Sequence, residues 1–289
     1  MSFNLSTENL FPVDGLVAVV TGAGSGIGSM IVRALATNGA SAVYAVDIEN
    51  YGIEKVAQEA VHHNVHALVC DVTSKTELQT TVDQIAEERG YINLLVNNAG
   101  RGAAVPIPKP TPKSSIQEVR EYYFNTLRDS DLAAVFGLNT IAVFNTTFAF
   151  LELLDAGNKA HTNQPKSQVV TVSNAAAFFR GYTDFIYNSS KAATTHMMMH
   201  LATALVPWNI RSNLIDPGWF PSRITARLIE EHEPTAGVVP KSISPAERFG
   251  VEKEMARTIL YLASKAGGYC NGSVSVVDGG ALSVHPRSY

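Results

Sequence analysis

The sequence predicts an α/β protein built on a single doubly wound parallel sheet with helices on both of its faces. Short continuous apolar runs recur along the chain, and such runs are typical of strands that are covered on both sides. The segments between them carry apolar residues at three- and four-residue spacing, which indicates helices. Their alternation implies βαβ units with right-handed crossovers. The predicted strands are residues 16–20, 42–46, 67–70, 94–96, 169–172 and 274–277, and the predicted helices are 30–38, 54–62, 76–89, 132–154 and 186–205.

The first predicted strand runs into a glycine-rich turn, Thr21-Gly22-Ala23-Gly24-Ser25-Gly26-Ile27-Gly28, and a helix follows. Glycine at such a turn allows a sharp bend, brings backbone N–H groups close to a pyrophosphate and lets the helix pack against the strand. The positive end of the helix dipole then faces the phosphates. We therefore predict a dinucleotide site here, with an ordinary glycine-rich turn as the alternative.

Asp47 ends the second predicted strand, nineteen residues after Gly28. A carboxylate at this place can accept hydrogen bonds from the adenine ribose hydroxyls. It also repels a 2′-phosphate, and neither Ser25 nor Ile48 carries a positive charge that would offset the repulsion. The sequence therefore favours NAD over NADP as the cofactor. The alternative is that Asp47 is only a residue of the turn.

Two segments interrupt the alternation of strands and helices. The first, residues 101–131, is a Pro-rich insertion, and Pro106, Pro108, Pro110 and Pro112 exclude a helix across residues 101–115. The second, residues 218–250, is predicted to be a substrate lid with a short helix near residues 222–231. Both segments have surface loops without a role as the alternative. Residues 1–14 form an N-terminal extension, and no linker divides the remaining chain, so we predict one domain over residues 1–289.

Composition argues against several classes of function. The net charge of −4 and the absence of a basic stripe give no support for binding nucleic acid. The two cysteines, Cys70 and Cys270, lie far apart in the sequence, which argues against a disulfide framework and favours a reducing, cytoplasmic location. Residues 1–15 lack the features of a signal peptide, and no apolar stretch is long enough to predict a membrane span.

Tyr187 and Lys191 lie four residues apart near the start of the predicted helix 186–205, so their side chains share one helix face. A free tyrosine has a pKa of about 10 and is a poor base at neutral pH. A neighbouring ammonium and an oxidised nicotinamide would favour the phenolate and lower that pKa. Proton transfer to a carbonyl or from an alcohol needs a pKa near the working pH. On its own, this spacing is common in helices.

Taken together, the motifs resemble those of the short-chain dehydrogenase/reductase family, in the family's order and over roughly residues 15–280. The resemblance implies a Rossmann-type fold, hydride exchange between NAD(H) and a secondary alcohol or ketone, and assembly into homodimers or homotetramers. The matching residues are Thr21–Gly28, Asp71, Asn97-Asn98-Ala99-Gly100, Asn139, Ser173, Tyr187, Lys191, Pro217-Gly218 and Val277-Asp278-Gly279-Gly280.

The resemblance also implies roles for individual residues. Tyr187 exchanges a proton with the substrate oxygen, Lys191 binds the nicotinamide ribose and lowers the pKa of the tyrosine, and Asn139 holds a water in the proton relay. The cofactor supplies the hydride chemistry. The cofactor-binding residues that the resemblance and the glycine turn imply are Gly22, Ser25, Gly26, Ile27, Gly28, Asp47, Asp71, Val72, Asn98, Ala99, Gly100, Tyr187, Lys191, Pro217, Gly218, the Phe220 backbone and the Ser222 hydroxyl.

The serine that hydrogen-bonds the substrate oxygen departs from the usual pattern. Most family members place it thirteen residues before the tyrosine, where this chain has Asn174, whereas Ser173 lies fourteen residues before Tyr187. A subgroup resembling the rhamnolipid-type 3-oxoacyl reductases uses the longer spacing and has a similar segment after Pro217-Gly218. We therefore expect Ser173 to take this role. Asn174 remains the alternative, because an amide also donates a hydrogen bond.

Other candidate features are weaker. His196 and His200 lack the third ligand of a zinc site, so we predict no metal. Phe178, Phe179, Trp219 and Phe220 flank the predicted pocket and suggest an apolar or aromatic small-molecule substrate. The alternative function is a non-redox protein with the same fold: a cyclase, an isomerase or a cofactor-sensing binding protein.

Overall fold

A computed structural model describes residues 6–102, 109–160, 165–181, 184–226, 229–230 and 237–288. Its centre is a sheet of seven parallel strands in the order β3-β2-β1-β4-β5-β6-β7, which confirms the predicted fold class. The strand order reverses between β1 and β4, which is the point at which such sheets bind ligands. The strands are β1 Val17–Thr21, β2 Ala42–Asp47, β3 Val65–Val69, β4 Leu94–Asn97, β5 Gln168–Val172, β6 Arg211–Pro217 and β7 Val274–Val277.

Helices cover both faces of the sheet. They are α1 Thr7–Leu10, α2 Gly26–Thr37, α3 Asn50–Gln58, α4 Lys75–Arg89, α5 Ile116–Arg120, α6 Asp129–Phe136, α7 Val143–Ala149, α8 Leu151–Lys159, α9 Phe185–Ala204, α10 Glu252–Ala263 and α11 Ala281–Val284. Alternate residues of β1 enter two different cores: Ala18 and Val20 pack with α2 and α10, whereas Val17 and Val19 pack with α4 and α9. This alternation is why the strand needs apolar residues at every position.

Strand β6 was absent from the predicted strands. It carries Ser212, Asn213 and Asp216 among its apolar residues, so it lacks a continuous apolar run. The fold satisfies two of these polar side chains inside the sheet. The Ser212 hydroxyl donates to the carbonyl of Met198 at 2.9 Å, and the Asn213 amide donates to Gln168 Oε1 at 3.1 Å.

The predicted helix 132–154 is divided in the structure. Helices α6 and α7 are joined by a π-helical turn, Gly137–Ala142, and α8 follows. Among the described residues, the joined helix Asp129–Ala149 is the one helix long and apolar enough to span a membrane; a third of its most apolar window is buried, and core helices of globular proteins meet the same criterion.

The two predicted loops contain more structure than the sequence indicated. No helix occurs between residues 109 and 115, as predicted, but α5 and a π-helical turn, Glu121–Thr126, follow inside the insertion. Ser115 and Glu118 form a capping box at the start of α5. Pro106 and Pro108 lie outside the described residues. Of the helix predicted near residues 222–231, the described part shows a helical hydrogen bond from Ile229 N to Thr225 O at 3.0 Å.

Candidate active site

A cavity of about 720 Å³ opens at the carboxyl ends of the central strands and brings most of the predicted site residues together. It is lined by every predicted cofactor-binding residue except Gly28, and by Tyr187, Lys191 and Ser173 of the predicted catalytic residues. The lining residues that the sequence did not single out as site residues are Ile48, Cys70, Thr73, Arg101, Ala134, Gly137, Leu138, Val172, Arg223, Ile224 and Thr225.

The glycine turn fits a phosphate-binding role because two of its residues have no space for a side chain. Gly22 has φ +64°, and a Cβ there would lie 2.7 Å from the Cα of Ala99. A Cβ on Gly28 would lie 2.1 Å from the carbonyl oxygen of Gly22, so Gly28 serves close packing and does not line the cavity. Ser25 precedes α2 without capping it through its side chain, which leaves the first N–H groups of α2 available to an anion.

Asp47 lies at the end of β2, at the edge of the cavity. Its Oδ2 accepts a hydrogen bond from Gly24 N at 2.9 Å, and its Oδ1 accepts one from Ile48 N at 2.8 Å. These bonds hold the carboxylate against the glycine turn. Arg223, which the sequence analysis did not single out, forms a two-point ion pair with Glu49 at 2.8 and 3.1 Å, close to this carboxylate.

The N-terminus of α9 presents Tyr187 and Lys191 to the cavity. Asp184 caps the helix by accepting a hydrogen bond from Tyr187 N at 3.0 Å, and it forms an ion pair with Lys109 of the insertion at 2.8 Å. The Lys191 ammonium lies 5.9 Å from the centre of the Tyr187 ring and donates to the carbonyl of Val172 at 3.1 Å. The two side chains therefore lie near each other and line the same cavity, as expected for residues on one helix face.

Burial dominates the electrostatics of this pair. It lowers the pKa of Lys191 to about 8, against the opposing effect of Asp216. Burial raises the pKa of Tyr187 above its ordinary value, and the carboxylates of Asp184 and Asp216 add to the rise. In the protein alone, desolvation of the phenolate therefore opposes the lowering of the tyrosine pKa that Lys191 and a bound nicotinamide are expected to cause, and that lowering stays a prediction.

Asp216 is a buried acid that the sequence analysis missed. It is 0% exposed, and neither carboxylate oxygen has a hydrogen-bond partner within the described structure. Burial raises its pKa to about 7, and Lys191 acts in the opposite direction. The sequence offered one signal for it, which is its position directly before the predicted cofactor-binding residues Pro217-Gly218. Burying a carboxylate without partners is costly, so a buried acid at this position is notable.

Asn139 is fully buried in the π-helical turn and is not part of the described cavity lining. Its Oδ1 accepts from Arg101 N at 2.9 Å, while its Nδ2 donates to Arg101 O and to Ser190 Oγ, both at 3.0 Å. Ser190 Oγ in turn donates to the carbonyl of Tyr187 at 2.7 Å. The Asn139 side chain thus braces the first turn of α9, and the water-holding role stays a prediction.

Ser173 and Asn174 differ in their contacts. The Ser173 side chain is buried, and its Oγ lies 3.1 Å from the Lys191 carbonyl and 2.8 Å from Thr195 Oγ1. Asn174 is partly exposed in the cavity, and its Oδ1 accepts from Ala176 N at 2.8 Å. The contacts of Ser173 therefore do not favour the role expected for it, although both residues line the cavity.

Three of the four aromatic residues expected around the pocket are outside its described lining. The ring of Phe220 packs against Gly250 in the core, and the Phe179 ring lies tilted against His285, with 4.8 Å between the ring centres. Of the four, Phe220 alone is part of the described lining. The apolar side chains of Ala134, Leu138 and Ile224 border the cavity instead.

Comparison with known proteins identifies the family. The family model for short chain dehydrogenases matches residues 16–233, and the chain therefore belongs to this family of oxidoreductases, as its motifs predicted. The short-chain dehydrogenase/reductase VdtF of Byssochlamys spectabilis is 46% identical, over 99% of this chain and 98% of that protein.

Solved structures agree with the family and differ in nucleotide. The Pseudomonas aeruginosa RhlG/NADP active-site complex superposes with a TM-score of 0.79 at 29% identity, covering 94% of this chain and 98% of that one. A 7α-hydroxysteroid dehydrogenase complexed with NADH and 7-oxo glycochenodeoxycholic acid gives a TM-score of 0.73 at 27% identity, covering 96% and 98%. The family thus binds NAD(H) or NADP(H).

Proposed function

We propose that this protein transfers a hydride between NAD(H) and a secondary alcohol or ketone. The observation that carries the proposal is that Tyr187 and Lys191 share one cavity with the glycine turn. The nicotinamide, when bound, supplies or accepts the hydride. Tyr187 exchanges a proton with the substrate oxygen, while Lys191 holds the nicotinamide ribose and its charge favours the tyrosinate. Pro217, Gly218, the Phe220 backbone and Ser222 are proposed to hold the nicotinamide amide.

The test of this activity is the absorbance of reduced nicotinamide during incubation with a panel of ketones and alcohols. We expect turnover by the wild type. Tyr187→Phe should lower kcat by at least about 10²-fold, because the phenylalanine side chain has no hydroxyl proton to exchange with the substrate oxygen. NADH binding by that variant should persist. Bound NADH without any turnover by the wild type would instead support the non-redox alternative, which the internal hydrogen bonds of Ser173 favour.

The preference for NAD over NADP rests on the charge of Asp47. Asp47→Asn removes that charge and keeps the shape, so it should improve NADPH affinity relative to NADH by about tenfold, or about 1.4 kcal/mol. Fluorescence titration with both nucleotides measures the ratio. A wild type that binds NADPH more tightly than NADH would contradict the proposal.

An apolar substrate is proposed from the apolar residues Ala134, Leu138 and Ile224, which line the cavity. The 7α-hydroxysteroid dehydrogenase complexed with 7-oxo glycochenodeoxycholic acid is a precedent for a large ketone bound by this fold. The same panel tests this point through the turnover rates of small polar alcohols and of bulky apolar ones. Faster turnover of the bulky apolar alcohols is expected.

A homodimer or homotetramer in the cytoplasm is also proposed. Ile141, Phe144 and Phe148 leave an apolar face of the helix Asp129–Ala149 exposed, which a second copy would cover. Cys70 and Cys270 are free thiols, which suits a reducing compartment.

A further inference from the structure

We infer that Asn174, and not Ser173, donates the hydrogen bond that holds the substrate oxygen beside Tyr187. The inference rests on the proposed function, since it assigns a residue to the same oxidoreduction. A carbonyl or alkoxide oxygen is an acceptor, so its partner opposite Tyr187 needs an N–H or O–H that the protein does not already use.

Ser173 has a single hydroxyl proton, and the fold uses it. The carbonyl of Lys191, at 3.1 Å, can only accept, and Thr195 Oγ1 lies at 2.8 Å on the other side. Whichever neighbour receives the proton, the hydroxyl is bound between two groups of α9. Turning it to the cavity would break an internal hydrogen bond at a residue that is 2% exposed.

The amide of Asn174 is oriented by its other contact. Its oxygen accepts the N–H of Ala176 at 2.8 Å, and an amide nitrogen could not make that bond, so the chemistry fixes which atom is Oδ1. The Nδ2 group is then the part of the amide that makes no hydrogen bond to the turn Ala175–Phe178. It carries two donor hydrogens, and neither has a partner within the described structure.

A neighbouring amide does not compete for this role. Asn98 lines the cavity as well, but its Nδ2 donates to Thr21 O and Gly22 O, both at 3.0 Å. Both of its donor hydrogens are therefore used in holding the glycine turn. Asn174 lies beside Val172 and Ser173 at the end of β5, where the Lys191 ammonium contacts the same strand.

During reduction of a ketone, Asn174 binds the oxygen that becomes the alcohol oxygen. The carbonyl carbon accepts a hydride from NADH, the carbonyl π electrons move to oxygen, and this oxygen takes the proton of Tyr187. The Asn174 amide keeps both hydrogens throughout and stabilises the charge that develops on the oxygen. Oxidation of the alcohol is the reverse.

Asn174→Asp is the sharpest variant, because a carboxylate still accepts from Ala176 N but donates nothing. We expect kcat to fall about 10²–10³-fold, which is the cost of losing one donor to an oxyanion. The affinity for NADH should change less than about twofold. Activity relative to the wild type should recover as the pH falls, since a protonated carboxyl donates again.

Two comparison variants complete the design. Asn38→Asp makes the same change of charge at an exposed residue at the end of α2 and should keep wild-type kcat. Ser173→Ala should lose less than about tenfold in kcat, should show no recovery at low pH, and should lower the Tm because two buried contacts are removed. A loss above 10²-fold in Ser173→Ala, with Asn174→Asp within fivefold of the wild type, would overturn the inference.

Binding separates this inference from the proposed function. If the wild type reduces no ketone, the proposed function fails, and the affinity of the NAD⁺-loaded protein for cyclohexanone still decides the role of Asn174. Calorimetry should then give weaker binding for Asn174→Asp than for the wild type and Ser173→Ala. Equal affinities in all three proteins would reject the role of Asn174.

Discussion

At the scale of single residues, burial decides which groups at the site carry charge. Lys191 is 4% exposed and Asp216 is 0% exposed, and water stabilises neither charge. The pKa of the ammonium is lowered to about 8 and that of the carboxyl is raised to about 7, in each case chiefly by desolvation. Without a cofactor, the site therefore favours uncharged side chains more strongly than an exposed site would.

Asp216 should make the stability of the protein depend on pH. Between about pH 4 and pH 7 the folded protein keeps the carboxyl proton that the unfolded chain has lost, so the free energy of unfolding falls as the pH rises. Asp216→Asn removes this titration. The difference in unfolding free energy between pH 5 and pH 7 should shrink by more than about 1 kcal/mol in urea titrations. Glu59→Gln, an exposed carboxyl, is the control, and equal slopes in wild type and Asp216→Asn would contradict the assignment.

The positions of site residues could be predicted from the sequence where the motif is local, while their roles stay predictions. The glycine turn and Asp47 are recognisable from short stretches of sequence, and the cavity includes nearly all of these residues. The choice between Ser173 and Asn174 depends on Thr195 of α9, which lies 22 residues away in the chain. No local pattern reveals that a hydroxyl is already bound across such a separation.

At the scale of elements, the contact between α2 and the glycine turn depends on Gly28. Its Cβ position lies 2.1 Å from a backbone carbonyl, which cannot move without displacing the turn. Gly28→Ala should lower the free energy of unfolding by about 1–3 kcal/mol or more and weaken NADH binding. Gly137→Ala is the matched control, since its Cβ would meet nothing within 4 Å, and helix propensity predicts a gain of about 0.5–1 kcal/mol.

Arg223, in the segment 218–250 that is predicted to be a substrate lid, forms an ion pair with Glu49 in the loop after β2. Both side chains are more than half exposed, so their ion pair should contribute little to global stability. Arg223→Ala should instead release the lid locally and raise the dissociation rate of NADH several-fold in stopped-flow fluorescence. Arg33→Ala breaks the Arg33–Glu252 ion pair between α2 and α10 and should leave that rate unchanged. Identical dissociation rates in wild type and Arg223→Ala would show that the lid is held by other contacts.

A strand could be predicted from the sequence when most of its side chains are apolar and buried. Strands β1, β2, β4 and β5 are buried almost throughout, and each was predicted from its apolar run. Strand β6 is equally buried but holds polar side chains whose partners are Met198 and Gln168 on other elements. Those partners become visible only once the chain has folded.

At the scale of the whole molecule, the helix Asp129–Ala149 should form a subunit contact. The rings of Phe144 and Phe148 lie 4.5 Å apart and are 45% and 43% exposed. Light scattering after size exclusion should give a mass of two or four times 31.1 kDa. Phe148→Glu should shift the mass towards the monomer, whereas Tyr269→Glu, at a fully exposed ring outside this face, should not. A monomeric wild type would refute the contact.

The ion pair between Lys109 and Asp184 links the Pro-rich insertion to the helix that carries Tyr187. Dissolved ions screen a contact of this kind at the protein surface. Salt concentration therefore acts on the link between the insertion and this helix as well as on the solvent. Rates measured in different buffers thus compare molecules in which the start of this helix is held to different degrees.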